Sequence, residues 1–285
     1  MPVFGRNLRE RLSRGSGAGA AVGGALAAWS LYEAQWVETL EVDVLVPGLH
    51  EDLRGFRILH LSDFHLGTLS LNWRALRKAV TWGREQHPDL VAITGDLVSR
   101  RRGVRELRRA LTALAAPYGV HAVLGNHDLG TTRDPFNQPG DPAEIESAGA
   151  VLYSGSGRVV EVGAARIQVV GVDPVSFHRR VPLGGLADPE ADLRILLCHF
   201  PDVVRRLEPG DVDLVLAGHL HGGQICIPTP RGRIRLEHLR ARHWEGLQQT
   251  PVGQLYVSRG LGTSFVPFRF LARPEVTLLR LERAH

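Results

Sequence analysis

The stretch LVLAGHLHGGQ, residues 214–224, sets four apolar residues before Gly218, then two histidines one residue apart, then two glycines. Four aliphatic residues bounded by glycine read as a short buried strand. His219 and His221 stand at i and i+2 of an extended segment and so face the same way. Gly218, Gly222 and Gly223 let the backbone bend around whatever the imidazoles hold. A buried strand that stops on two metal-capable side chains raises the question of how the other strands stop.

Four of them stop in the same manner. RILHLSDFHLG (57–67) is a strand running into Asp63 and His65, and LVAITGD (90–96) is a β-branched strand ending in Asp96. VHAVLGNHD (120–128) ends in Asn126, His127 and Asp128, and RILLCHF (194–200) ends near His199. RIQVVGVD (166–173) is a further strand, as are GRIRLEH, QLYVSRGLG and EVTLLRLE toward the C-terminus. Between them, WRALRKAVTWGREQHPD (73–89) reads as a helix stopped by Pro88. VRELRRALTALAAP (104–117) repeats Val104, Leu107, Leu111 and Leu114 at helical spacing, with Arg105, Arg108 and Arg109 largely off that stripe, as a solvated face or, second to that, a phosphate- or lipid-binding one. Strands alternating with helices indicate an α/β fold.

Each strand end is weak evidence by itself. Asp-x-His is commonly a turn, and a lone histidine is commonly a satisfied core or surface residue. Five such ends in one α/β chain are different. Sites in open α/β sheets form at the carboxyl ends of strands, and neighbouring strands lie about 4.8 Å apart. The five ends are therefore expected to converge on a binuclear metal site. No thiolate belongs to the set, which excludes a closed structural zinc site of the usual kind. Imidazole, carboxylate and amide oxygen suit two divalent ions of Mn, Fe, Zn or Co. Two such ions against the carboxylates of Asp63 and Asp96 leave a net positive centre, which attracts a phosphoryl group.

DFH, GD, GNHD, CH and GHLH, in that order, resemble the motif set of the calcineurin-like metallophosphoesterases, over residues 41–285. The resemblance implies a four-layer α-β-β-α sandwich, two mixed sheets flanked by helices. It implies Asp63, His65 and His221 around one metal, Asn126, His199 and His219 around the other, and Asp96 bridging. His127 matches a non-ligand histidine that binds the scissile phosphate and protonates the leaving oxygen, with Asp128 orienting it. The implied reaction is direct hydrolysis, a metal-bound hydroxide attacking phosphorus in line. Leu124-Gly125 replaces the Arg found before this Asn-His pair in protein phosphatases, and Ser99 stands where purple acid phosphatases place a tyrosine ligand. ILHLSDFHLG, HPDLVAITGDLV, GHLHGGQICIP and SRGLGTSFVPFRFLARPEVTLLRL resemble a bacterial membrane-associated or exported subgroup. Its members act on phosphodiesters, and some on the pyrophosphate of a UDP-linked diacylated glucosamine.

Composition bounds the partners. The 285 residues carry a net charge of +4, and Lys78 is the one lysine among the 34 basic residues, so the positive charge is arginine. This suits an anionic partner: a membrane surface, nucleic acid or a phosphorylated substrate. No stacking module or groove-reading helix supports nucleic acid specifically. Cys198 and Cys226 have no metal-ligand spacing and read as core residues. In the segment 173–186, His178, Arg179 and Arg180 stand either for an anionic head-group contact or for an ordinary charged loop. Arg6, Arg9, Arg11 and Arg14 precede GSGAGAAVGGALAAWSLY (15–32), the pattern of an export signal or anchor, close to the ~20 residues a bilayer span needs. That segment is rich in Gly and Ala and weakly apolar, and it has no preceding Arg pair. Residues 1–40 are thus read as a basic N-terminus with a weak signal or anchor, and 41–285 as one phosphoesterase domain. Membrane-associated or exported, and cytoplasmic, both stay open. So do three functions: a phosphodiesterase or pyrophosphatase on a lipid-linked substrate, a soluble nucleotide or nucleic-acid phosphoesterase, and a non-catalytic scaffold.

Overall fold

The chain begins with helix α1 (Phe4–Glu33) and strand β1 (Glu38–Val46). Two strand–helix units follow, β2 (Arg57–Leu61) with α2 (Asn72–Glu85) and β3 (Leu90–Thr94) with α3 (Val104–Ala113). Then come β4 (Val120–Val123), the short helix α4 (Ala143–Ser147) and β5 (Ala150–Tyr153). The second half runs β6 (Ser156–Val162), β7 (Ala165–Val172), α5 (Pro174–His178), β8 (Leu193–Cys198) and β9 (Leu214–Ala217). A hairpin, β10 (Cys226–Thr229) with β11 (Gly232–Arg235), precedes β12 (Gly246–Thr250), β13 (Gly253–Val257) and β14 (Glu275–Arg283). The structure is a computed structural model that describes residues 4–182 and 188–284.

Two six-stranded mixed sheets result, ordered β1-β14-β2-β3-β4-β5 and β12-β13-β9-β8-β7-β6. β2, β3, β4 and β5 are parallel, as are β7, β8, β9 and β13. Register then places the site. Leu61 is level with Ile93, and Thr94 with Val123, so Asp63, Asp96 and Asn126 leave the first sheet at one edge. In the second sheet Leu197 is level with Leu216, which brings His199 and His219 to the matching edge.

Alternation along the strands builds three cores. Leu59, Leu61, Val91 and Ile93 face Leu76, Ala79, Leu107 and Leu111 of α2 and α3. Their neighbours Ile58, Leu90 and Ala92 face inward onto Ile167, Val169, Ile195, Leu197 and Leu216 of the second sheet. Burying each such side chain is worth about 1.5–3 kcal/mol. The outer face of the second sheet (Val170, Leu196, Val215) is covered by Val203 and Val204 of a 3₁₀ turn rather than by a long helix. The expected four-layer α/β sandwich is therefore present, with its fourth layer thin.

Two local readings change. The helix expected over 104–117 stops at Ala113, because Leu114 adopts φ −87°, ψ 82° ahead of Pro117. β1, ETLEVDVLV, has no strand reading in the sequence above, and its parallel partner β14 lies at the far end of the chain.

α1 is fastened at its C-terminal end. Ser30 O accepts from Arg269 N at 3.1 Å, and the Glu33 carboxylate accepts from Ala272 N at 3.0 Å. Most of Gly19–Leu31 is exposed. Among the described residues no helix is long and apolar enough to cross a membrane. The side chains of Arg6, Arg9, Arg11 and Arg14, and residues 183–186 of the 173–186 segment, lie outside the described residues.

Candidate metal centre

Asp63, His65, Asp96, His219 and His221 all sit in left-handed backbone, with φ of 54°, 45°, 56°, 74° and 49°. Such a conformation costs a non-glycine residue about 1–3 kcal/mol and persists where the surroundings impose it. Here neighbouring strand ends impose it: Asp63 N donates to Gly95 O and His65 N to Asp96 O, both at 2.9 Å. Glycines leave room for the carboxylates. A Cβ on Gly125 would lie 2.1 Å from Asp96 Oδ1, and one on Gly218 would lie 2.4 Å from Asp63 Oδ2.

The convergence yields two adjoining groups. In the first, Asp63, His65 and His221 offer ligand atoms within 4.8 Å of one another. His65 Nε2 is 3.0 Å from His221 Nε2, which is 3.4 Å from Asp63 Oδ1. In the second, Asp96, His199 and His219 do the same, and Asn126 joins them. His199 Nε2 lies 3.1 Å from His219 Nδ1, 3.1 Å from Asn126 Oδ1 and 3.3 Å from Asp96 Oδ2. Asp96 Oδ2 is also 3.5 Å from His65 Nε2, so one carboxylate touches both groups.

Partners behind the rings set which nitrogen is free. His199 Nδ1 lies 2.8 Å from Thr94 O, a pure acceptor, so Nδ1 carries a hydrogen and Nε2 is the nitrogen turned toward the donors. His65 Nδ1 meets Ser99 Oγ at 2.9 Å, which turns its Nε2 inward in the same way. Burial pulls His65 down to about 3 and drives His219 and His221 well below the usual histidine range. His199 goes the other way: burial opposes its charge, but Asp96 and Asp63 outweigh burial and raise it to about 9. Burial raises Asp63 to about 6, with His199 opposing and Asp96 adding. For Asp96 burial is outweighed by His199 and His65, which hold it well below the usual carboxylate range. Lone-pair nitrogens 3.0 Å apart beside two carboxylates, all withdrawn from water, form a donor set that fits divalent cations of borderline softness.

His127 stands beside this set. Its N–H donates to Asp96 Oδ1 at 2.8 Å. Asn137 Nδ2 donates to His127 O at 2.8 Å, which turns Asn137 Oδ1 toward the ring, 3.2 Å from Nδ1. Nδ1 therefore carries the hydrogen, and Nε2 accepts from Thr132 Oγ1 at 3.1 Å. Although His127 also falls within 4.8 Å of His65 and Asp96 donor atoms, both of its nitrogens have other partners.

Asp128 was expected to orient His127; the hydrogen bonds of its carboxylate go to backbone amides. Asp128 Oδ1 accepts from Leu97 N at 2.8 Å and Val98 N at 2.9 Å, and Oδ2 from Gly125 N at 2.9 Å. These amides leave their strands without ladder partners, and a buried amide needs an acceptor. Asp128 thus braces the loop after β3 against the loop after β4, while Asn137 and Thr132 hold the imidazole. Burial, then the nearby Asp96, raises the Asp128 carboxyl to about 7 against the pull of those amides.

The sequence reading also missed Arg269 and Asn72. Arg269 is fully buried and donates to the carbonyls of Arg259, Gly260, Gly262 and Ala272, with Nη2 3.2 Å from His221 Nδ1. Asn72 Nδ2 ties His65 O to Thr263 O. Their sequence signal is slight: an arginine amid the apolar run FVPFRFLA and an asparagine at a helix start.

A cleft of about 600 Å³ opens beside His219, walled by Phe177, His178, Phe200, Leu239 and Arg240. Of the charged trio at 178–180, His178 lines it. A second groove of about 540 Å³ runs between α2 and α3 from Gly67 and Thr68, with Leu76 and Val80 below and Arg77 and Arg109 above. Both volumes fall in the range of small-molecule sites. Cys198 and Cys226 are free and buried, as expected of core thiols.

Comparison with known proteins agrees with this geometry. The family model described as calcineurin-like phosphoesterase matches residues 56–223. The metallophosphoesterase YkoQ of Bacillus subtilis is 32% identical over 77% of this chain and 81% of its own length. Phosphodiesterase YaeI of Escherichia coli is 30% identical over 79% and 82% respectively. The UDP-2,3-diacylglucosamine pyrophosphatase LpxG of Chlamydia trachomatis is 26% identical over 86% of this chain and 92% of its own.

Proposed function

Because the chain belongs to the calcineurin-like phosphoesterases, a family of metal-dependent hydrolases, we propose that it cleaves a phosphodiester or pyrophosphate bond in a lipid-linked substrate. The observation that carries this reading is the meeting of five strand ends in two adjoining, buried donor groups that share Asp96. Asp63, His65 and His221 would hold one divalent cation and Asn126, His199 and His219 a second, with Asp96 within reach of both groups. When bound, the cations supply positive charge to the phosphoryl oxygens and lower the pKa of water.

The other tasks fall to side chains. The Thr94 carbonyl keeps a hydrogen on His199 Nδ1, and Ser99 Oγ holds the His65 ring, so that each presents Nε2 without rearrangement. His127 keeps its Nδ1 hydrogen on Asn137, which leaves Nε2 to hold a second proton and pass it to the leaving oxygen. The cleft beside His219 receives the leaving group: Phe177, Phe200 and Leu239 offer apolar wall, and Arg205 and Arg240 offer charge for a second phosphate. The likeness to a pyrophosphatase of UDP-2,3-diacylglucosamine supports the lipid-linked part.

The test is hydrolysis of bis(p-nitrophenyl) phosphate by metal-stripped protein resupplied with Mn, Fe, Zn or Co. Turnover is expected to return at two metals per chain. UDP-2,3-diacylglucosamine is then compared with UDP-N-acetylglucosamine. A kcat/KM at least about tenfold higher for the diacylated compound supports the lipid-linked reading, and equal values would remove it.

A further inference from the structure

Outside α1, six large apolar side chains are more than half exposed among the described residues: Leu69, Phe136, Ile234, Leu236, Leu239 and Phe265. Five lie in loops and Ile234 in β11, all in segments that follow or flank the donor residues. Phe265 has its ring centroid 6.2 Å from that of His127. Phe136 precedes Asn137, which holds the same histidine. Leu236 and Leu239 wall the cleft at His219, and Ile234 stands on the same face of β11 as Leu236. Leu69 is in the loop between His65 and Asn72, and Asn72 ties that loop to Thr263. Exposed apolar residues scattered over a surface are ordinary, but their confinement to one rim is not.

The rim is also where the charge lies. Segments 66–72, 99–103, 129–141, 227–245 and 263–268 hold nine arginines against four acidic residues, an excess larger than the net +4 of the whole chain. The segment that follows Phe265 holds α1 through Ser30 and Glu33. Near that attachment α1 carries Trp29 and Tyr32, 43% and 58% exposed, the aromatic pairing found at the headgroup level of bilayers.

We infer that the mouth of the metal cleft is a membrane-docking face, seated on an anionic phospholipid surface so that the phosphoester enters directly from the interface. Apolar tips interspersed with arginine suit a headgroup layer, whereas the core of a protein interface is depleted of charge. The inference extends the lipid-linked reading above and names the surface it requires.

The test is flotation of the full chain with phosphatidylglycerol–phosphatidylcholine vesicles and with phosphatidylcholine vesicles, at low and high salt. The wild-type chain should float with the anionic vesicles and largely detach at high salt. The triple variant Leu69→Ser/Phe136→Ser/Ile234→Ser should lose about tenfold or more in partitioning while hydrolysing bis(p-nitrophenyl) phosphate within about twofold of wild type. Arg231→Gln/Arg242→Gln should weaken the preference for anionic vesicles. Three outcomes overturn the inference. The wild-type chain floats with neither vesicle; the triple variant floats like wild type; or the chain dimerises without lipid and the triple variant does not, which would make a second copy the occupant. Failure of the hydrolase reading would appear separately, as absent turnover in a chain that still floats.

Discussion

The two halves of the centre are built differently. Asp63, His65 and His221 are at most 4% exposed and all three sit in left-handed backbone. Behind them lies the fully buried Arg269, whose guanidinium is lowered to about 9 by burial and by repulsion from Arg259. Asn126 and His219 of the other half are only partly buried, and His219 borders the cleft with Phe200 and His238 at ring distances of 4.7 Å and 5.0 Å. One half is a closed socket, with every member buried and Arg269 behind it. The other is a socket with a door. The cleft opens on the half that holds His219.

Asp96→Asn should break the distinction altogether, because its Oδ2 is the atom that touches both halves. Loss of a partner outside the ligand set costs roughly 10–100-fold in activity or affinity, and loss of a shared ligand should exceed that. Metal analysis should show both cations depleted. If one cation survives at full occupancy, Asp96 belongs to a single half.

His127→Ala should lower kcat by about 10²- to 10⁴-fold with metal content unchanged, since the imidazole stands beside the donors. Asn137→Ala should lower kcat by roughly a tenth of that effect and shift the pH limb of kcat, because Asn137 fixes the tautomer. Asp128→Asn should leave that limb in place and reduce stability instead, through the amides of Gly125, Leu97 and Val98. A shifted limb in Asp128→Asn would restore the orienting role to Asp128.

Ser99→Ala sharpens the comparison, since Ser99 Oγ backs His65 on the closed side. Metal affinity should fall about 10–100-fold for one of the two cations, read as two separated steps in a chelator titration. Equal weakening of both would mean that the halves are coupled more tightly than their separate supports suggest.

Sequence reveals the donors and conceals what holds them. Asp63, His65, Asp96, Asn126, His199, His219 and His221 each follow an apolar strand directly, so strand order alone brings them together. Ser99, Thr94 and Arg269 act on residues 34, 105 and 48 positions away, and nothing local marks them. The partners of Asp128 are hidden for the same reason: its neighbour in sequence is His127, but its carboxylate also meets amides 30 and 31 positions distant. β1 was hidden because the strand it pairs with comes from the opposite terminus.

The smallest effect concerns the scaffold of the open half. Thr94 O accepts from His199 Nδ1, and Thr94 Oγ1, which donates to Ser62 Oγ, accepts from His60 Nε2 at 2.9 Å. His60 is fully buried, and burial pulls it down to about 3. The unfolded chain therefore takes up a proton below about pH 6.5 that the folded chain refuses until about pH 3. Stability from this source is complete above pH 6.5 and is lost as pH falls, by at most about 1.4 kcal/mol per unit. His60→Met fills similar space without a titrating group, and Thr94 Oγ1 keeps Ser62 Oγ as a partner at 2.8 Å. Between pH 6.5 and 5, wild type should lose about 2 kcal/mol more than His60→Met in denaturant unfolding at matched metal concentration. Parallel losses would mean that His60 protonates inside the fold. The open half would then rest on a water-accessible support, and its difference from the closed half would reach below the cleft.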